Sequence, residues 1–294
     1  MAATGTSGAE EGEESTLRIA TFNIYNYGTM DRMFEGRWRF DYPKPEEEKA
    51  ALRAILRNVR PDVVVLQEMG ASPFLEEFRE DLRREGLDFP YGEVLEAMDT
   101  DRYLAFLSKI PPLEVRGHTD LDFAYRGGRE WVKRGLQEII FESEGERWSI
   151  FNLHLKSKWT EYPEDPLANQ KRIREAEAIR NYILSEYDPA EDGFIILGDV
   201  NDTLHSSALR RLRQRGAVTI SEPLPAVDRS GLTWTQRWER AGLYSRIDYI
   251  LVSPAWEERV VPNRYRVYDG PKWSLASDHR MVYADLVWPG RQER

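Results

Sequence analysis

The stretch IILGDVND, residues 195–202, passes directly from aliphatic to acidic. Ile195, Ile196 and Leu197 read as a buried strand, and the polar residues behind them include Asp199 and Asn201. Other apolar runs share this design. RIATFN ends at Asn23, VVVLQE ends at Glu68, SIFNLHLKS presents His154, and SRIDYILVS presents Asp248. SDHRMVYADL sets Asp278 and His279 just before the last apolar run. If these ends converge, they form a pocket of four carboxylates, two carboxamides and two imidazoles.

That set suits metal-assisted phosphoryl chemistry. Hard oxygen donors such as Glu68, Asp278 and Asn23 favour Mg²⁺ or Mn²⁺, ions that keep water and bind phosphate oxygens. A histidine beside a carboxylate is oriented, and its imidazolium form is stabilised. Amide and imidazole donors can hold charge that develops on a pentavalent phosphorus.

The bulk of the sequence narrows the alternatives. The chain has 294 residues, 41% hydrophobic and 31% charged, which reads as a soluble globular protein of one large domain or two ordinary ones. With no cysteine, disulfides, thiolate catalysis and cysteine-bound zinc or iron–sulfur centres are excluded. The net charge of −10 argues against a basic nucleic-acid coat, though not against an enzyme that meets phosphate through a metal and a few arginines. No apolar run approaches the roughly 20 residues of a membrane helix. Residues 1–16 read as a disordered acidic leader, and 289–294 as a short tail. The leader has neither the basic start nor the apolar core of a signal peptide, leaving the location open between the cytoplasm and export with a removed signal.

The elements that must position the site follow from periodicity. Strands are expected at Leu17 to Asn23, 61–68, Tyr103 to Ser108, Leu113 to Gly117, Trp131 to Phe141 and Trp148 to Leu155. Later strands are expected at 194–198, Arg246 to Val252, Val260 to Val267 and Met281 to Val287. Helices are expected after Pro45, where Ala51, Ile55 and Val59 share a face, over Pro73 to Glu85, and over Pro166 to Tyr187. Ile24 to Tyr42 reads as a long aromatic loop. Asp202 is expected to cap a short helix over SSALRRLRQR. His118 and His205 read as surface residues, and Trp234 as packing beneath the site. Two mixed β-sheets packed face to face, with helices outside, fit this order better than a simple alternating βαβ fold.

The segments TFN (21–23), LQE (66–68), NLHLKS (152–157), GDVN (198–201), RIDYIL (246–251) and SDHRMV (277–282) resemble the endonuclease/exonuclease/phosphatase superfamily, in its order and across residues 17–287. The resemblance implies a four-layer α/β/β/α sandwich, an α+β catalytic domain over residues 17–288, with the pocket at one edge of the paired sheets. It implies Glu68 as principal metal ligand, with Asn23 and Asp278 beside it. His279 and Asp248 would form a dyad that handles the attacking water and contacts the scissile phosphate. Asp199 would position or deprotonate the nucleophile, Asn201 would donate to a phosphate oxygen, and His154 would stabilise the transition state or help the leaving group. Arg134 and Lys156 are expected near substrate phosphate, and Asp101 or Arg102 near His154 as its support.

The expected activity is Mg²⁺-dependent hydrolysis of phosphodiesters by a monomer, with nucleic acid as partner. The aromatics interleaved with Arg32, Arg37 and Arg39 could stack bases and contact phosphates. The alternatives are a phosphoesterase acting on a small sugar phosphate, lipid headgroup or nucleotide, and an inactive binding module of the same fold.

Overall fold

The computed structural model describes residues 16–160 and 162–288. The acidic leader and the tail therefore fall outside the described residues, apart from Thr16.

Two six-stranded sheets form the centre. The first runs, edge to edge, Val260–Val267, Val282–Val287, Thr16–Tyr27, Val63–Met69, Tyr103–Ser108, Tyr91–Leu95. The second runs Glu222–Pro223, Asp248–Val252, Gly193–Asp199, Glu146–His154, Leu136–Ser143, Glu114–His118. Their facing sides bury Ile19, Val63, Val65, Phe106, Ile139, Ile150, Ile195, Leu197 and Ile250. Helices Glu46–Val59 and Ser72–Arg84 cover the first sheet with Leu52, Ile55, Phe78 and Leu82. Helices Asn169–Glu186 and Ser207–Arg213 cover the second with Ile179, Ile183, Leu209 and Leu212. The result is the four-layer sandwich expected. No helix among the described residues is long and apolar enough to cross a membrane.

Each sheet is mixed because it contains one parallel pair at its centre. Thr16–Tyr27 runs parallel to Val63–Met69, and Glu146–His154 parallel to Gly193–Asp199. A parallel pair needs a crossover, supplied here by Glu46–Val59 and Asn169–Glu186 respectively. These central strands are buried on both faces, which is why they read as near-continuous aliphatic runs. Between the sheets a polar row replaces the apolar core near the site. Gln67 donates to Asn152 Oδ1 at 2.8 Å, and Asn152 donates to Gln137 Oε1 at 3.1 Å and to the carbonyl of Ala105 at 3.0 Å. Such a satisfied buried network fixes the two sheets in register.

Several expectations need correction. The stretch after Ile24 is no loop: the first strand continues to Tyr27, and Thr29–Phe34 and Arg37–Pro43 form a β-hairpin. Its turn is Glu35–Gly36, both with positive φ (50° and 72°), the geometry favoured for two-residue hairpin connections. The single strand expected over Trp131 to Phe141 is broken by the turn at Lys133–Arg134, leaving Gly128–Trp131 and Leu136–Ser143. Asp202 caps nothing: Ser206 is the N-cap, accepting from Leu209 N–H at 3.2 Å, while Asp202 receives Arg172 Nε at 3.0 Å. Nearer the helix start, Ser206 wins because its oxygen reaches the third N–H of the first turn. His205 is exposed, but His118 is only partly so; its Nε2 lies 2.8 Å from Glu138.

Candidate active site

The two parallel pairs end on the same side of the sandwich, and their last residues build the site. In the second sheet, His154 is the ladder partner of Asp199, and Asp199 that of Asp248. Three chemistry-bearing residues thus stand abreast on adjacent strands. Gly198 makes this closeness feasible. Its φ is +145°, and a Cβ there would lie 2.0 Å from the Leu153 carbonyl oxygen. The glycine thus serves close strand packing.

In the first sheet the ladder shifts at the strand end, between Asn23 and Tyr27 on one side and Gln67 and Met69 on the other. Leu66 and Met69 both enter the outer core although they stand three positions apart, an odd spacing that strict alternation would send to opposite faces. The extra residue releases Glu68 from the alternation and re-aims its carboxylate, as bulges do near functional sites. Glu68 has φ +65° and Asn201 φ +55°, conformations that non-glycine residues adopt at a cost.

The side chains interlock. Asn23 Nδ2 donates to Glu68 Oε1 at 3.2 Å and to Asp199 Oδ2 at 3.1 Å, so it joins the two sheets across the site. The Asn26 backbone N–H donates to Glu68 Oε2 at 3.1 Å. His279 Nδ1 sits 2.9 Å from Asp248 Oδ2, while its Nε2 lies 3.9 Å from both Asp199 and Asp278. Ser277 donates to the Asn23 carbonyl at 2.8 Å and accepts the His279 N–H at 3.0 Å, which fastens the 277–279 turn to the first strand. Asn201 donates its backbone N–H to Asp199 Oδ1 at 2.7 Å, and its amide to Asp199 Oδ2 at 3.3 Å and the Leu155 carbonyl at 3.0 Å. Its amide hydrogens therefore serve Asp199 and the backbone here.

Crowding of charge in a buried place moves the acid–base balance. Burial, then the neighbouring Asp248, pushes the Asp199 carboxyl up to about 7. Burial alone would lower His279, but Asp248 and Asp278 overcome it and hold the imidazolium well above the usual histidine range. His154 goes the other way: burial and the Arg134 guanidinium favour its neutral form. Burial, aided by Arg134, also brings Lys156 down to about 8. Burial and the Glu68 charge raise Asp278, against the opposing pull of His279.

Two groupings could hold a metal ion. Asp199, Asp248 and His279 offer ligand atoms within 4.8 Å of one another. Glu68 and Asp278 offer an oxygen set, with Asp278 Oδ1 buried without a hydrogen-bond partner among the described residues, while Asn23 beside them turns its amide nitrogen to Glu68 and its Oδ1 accepts the Tyr25 N–H at 3.1 Å. That free oxygen beside a second carboxylate, with His279 Nδ1 already engaged in the other grouping, makes the oxygen set the better fit for a hard cation.

A cavity of about 570 Å³ receives Glu68, His154, Asp199, Asn201, Asp278 and His279. Arg32, Arg102, Lys133, Arg134 and Lys156 line it as well. Arg134 is anchored by Asp99 at 3.1 Å and donates to the Leu155 carbonyl at 3.2 Å, while its Nε is left unpartnered among the described residues. Of the ten residues expected at the site, eight line this cavity; Asn23 bridges Glu68 and Asp199 at its edge, and Asp248 stands behind His279. The expected support of His154 by Asp101 or Arg102 is not formed. Its Nδ1 has no hydrogen-bond partner among the described residues, and its Nε2 lies 3.4 Å from Asp199. Lys158 is exposed. Trp234 packs against Tyr244 and Trp273, with the Arg280 guanidinium 4.0 Å from its ring.

Sequence reasoning missed three contributors. Gln236 bridges to His279 and donates to Asp278 Oδ2 at 3.4 Å. Thr235 Oγ1 accepts the N–H groups of Ile247 and Asp248 at 3.0 and 3.1 Å. Glu175, buried on its helix, accepts the Lys133 and Lys156 N–H groups at 3.3 and 2.6 Å and so sets both lysines. The signal for Glu175 was present: a carboxylate on the apolar face of a helix, directly before Ala176.

The fold has known counterparts. Sphingomyelinase C from Streptomyces griseocarneus superposes with a TM-score of 0.61 at 17% identity, over 92% of this chain and 99% of that one. An endonuclease/exonuclease/phosphatase from Bacteroides vulgatus gives 0.65 at 19%, over 92% and 98%. A truncated Caenorhabditis elegans TDP2 gives 0.60 at 16%, over 93% and 98%. At these identities the likeness establishes the fold. Among curated proteins none matches the sequence significantly. The family whose members are phosphoesterase hydrolases has a sequence model that matches residues 20–279, spanning every strand end that builds the site. This chain belongs to the endonuclease/exonuclease/phosphatase family.

Proposed function

We propose that the protein is a metal-dependent phosphodiesterase, with Mg²⁺ as its ion and Mn²⁺ as a working substitute, and that nucleic acid is its substrate. One observation supports this most: a single cavity carries an oxygen-rich acidic wall and, within reach of it, five basic side chains. The acidic wall suits a cation, and the basic wall suits the phosphates of the substrate.

In this reading Asn23, Glu68 and Asp278 hold the ion, which when bound supplies positive charge against the phosphate oxygens. His279, oriented by Asp248 through Nδ1, offers Nε2–H to the scissile phosphate. Asp199 receives the proton of the attacking water, and Asn201 keeps that carboxylate in place through both of its donors. His154, neutral, stabilises charge near the leaving oxygen. Arg134 and Lys156 position the phosphates. Water oxygen joins phosphorus, one P–O ester bond breaks, and the leaving oxygen departs protonated.

A second reading has its own observation. The Thr29–Phe34/Arg37–Pro43 hairpin exposes Met33, Trp38 and Phe40 beside the cleft, a surface that would suit a lipid headgroup substrate at an interface. The test is turnover of bis(4-nitrophenyl) phosphate, 4-nitrophenyl phosphate, DNA and RNA oligonucleotides, and sphingomyelin vesicles, each with Mg²⁺, Mn²⁺ or chelator. Metal-dependent cleavage of the diester and of an oligonucleotide, lost in Glu68→Ala, supports the proposal. Monoester turnover alone, vesicle turnover alone, or metal-independent activity overturns it. Silence on every substrate with no Mg²⁺ binding by calorimetry would identify an inactive module.

A further inference from the structure

Lys44 lies outside the site cavity, yet its side chain is wholly buried. Lysine seldom sits so deep without partners. It follows the Thr29–Phe34/Arg37–Pro43 hairpin directly and stands just before helix Glu46–Val59. Its Nζ pairs with Glu48 at 3.0 Å, donates to the Tyr25 carbonyl at 3.1 Å and lies 5.4 Å from the centre of the Tyr25 ring.

The Tyr25 carbonyl matters because of what shares its peptide. The bond between Tyr25 and Asn26 makes one rigid trans plane, in which the oxygen of the first residue and the N–H of the second point in opposite directions. Lys44 holds the oxygen, and Glu68 Oε2 accepts the N–H at 3.1 Å. A buried ammonium and a carboxylate of the acidic wall thus grip the two ends of one plane. The preceding plane has its N–H, that of Tyr25, on Asn23 Oδ1 at 3.1 Å. The following plane has its oxygen, that of Asn26, on Arg32 Nη2 at 3.2 Å. Cations take the carbonyls of this turn, and the acidic wall takes its N–H groups.

The turn needs such holding. Tyr25 and Asn26 have φ of +52° and +55°, two left-handed non-glycine residues in succession. Conformations of this kind persist only where the surroundings over-determine them. A donor on the peptide oxygen also polarises the plane and strengthens its N–H toward Glu68. Resting on the metal-dependent reading, we propose that Lys44 is a positioning residue for the metal side of the site. It fixes the Tyr25–Asn26 peptide, and that peptide aims the Glu68 carboxylate. Arg32 supports the same turn from the next carbonyl.

The experiment is a calorimetric titration of the full chain with Mg²⁺ alone, for the parent, Glu68→Ala and Lys44→Met. Two effects of Lys44→Met have opposite signs. Loss of a nearby positive charge tightens the binding of a cation, whereas loss of the hold on Glu68 weakens it. The inference expects Mg²⁺ to bind Lys44→Met about ten-fold more weakly, with the circular dichroism of the parent retained. An unchanged or tighter Kd overturns the inference and leaves the metal reading intact. A lowered melting temperature with the parental Kd does the same, since Lys44 would then serve stability alone. If Lys44→Met does not fold, Arg32→Met takes its place with the same sign: a weaker Kd supports the inference, and an unchanged or tighter one overturns it. A parent that binds no Mg²⁺, or Glu68→Ala binding it as tightly as the parent, overturns both the inference and the metal reading.

Discussion

Glu138 and Asp199 lie two strands apart in the same sheet, and both carboxylates are buried. Glu138 is surrounded by donors: His118 and Tyr182 each at 2.8 Å, and the Tyr187 hydroxyl close against its other oxygen. Burial alone would raise its carboxyl, yet these donors hold it below the usual range. Asp199 has donors too, but it also faces Asp248 and Asp278 across His279, and it is pushed up. Around it remain a bare His154 Nδ1 and a bare Asp278 Oδ1, without hydrogen-bond partners among the described residues. A carboxylate with a full shell fixes helix to sheet. One with a contested shell stays ready to exchange a proton or accept a ligand.

Substitutions on the two sides should separate most sharply in activity. Glu68→Ala or His279→Ala should lower kcat/KM by about a thousand-fold or more, with a melting temperature near that of the parent. Activity near the parental value in either variant would remove those residues from the site. On the other side, Glu138→Ala should leave activity per folded molecule unchanged while costing about 3 kcal/mol in a urea titration, because three partly buried donors lose their acceptor. A loss under about 1 kcal/mol would mean that water replaces the carboxylate.

The pH dependence of that loss has a fixed sign. A carboxyl whose folded value lies below its ordinary value of 4.5 adds stability that is present above pH 4.5 and fades as pH falls through the lower folded value. The gap between parent and Glu138→Ala should therefore be level above about pH 5.5 and narrow below 4.5. A gap that widens in acid would contradict the shell described. A smaller contrast is expected from Asp278→Asn. Removing one of two neighbouring charges should raise metal-free stability by about 1 kcal/mol while lowering turnover, a trade seen where function requires like charges to be held together. The smallest effect concerns Lys156, held at about 8. KM should rise a few-fold between pH 7 and 9 as the ammonium is lost, and Lys156→Gln should flatten that rise.

Much of this was readable from the chain because strand ends announce themselves. A buried aliphatic run that stops at Asn23, Glu68 or Asp199 leaves few other reasons for a polar residue there. The hairpin after Tyr27 was hidden for the opposite reason. Arg37, Trp38, Arg39 and Phe40 alternate, but both ribbon faces stay largely exposed, so no core marks one side as inward. Partners of the site that act through the backbone, such as Thr235, leave no periodic trace. Nor does the bulge at Glu68, since one extra residue looks the same as any other until the neighbouring strand is present.

Gly198 carries a last consequence. Its missing methyl is a clearance between two rails, and the imidazole and carboxylate at the rail ends inherit that gauge. Lineages descending from this fold can rebuild the cleft walls freely, exchanging tryptophans and arginines to suit new substrates. The gauge itself offers no small step, because the next larger side chain already collides with the carbonyl of Leu153. Specificity can drift here while the spacing of the reacting groups stays put.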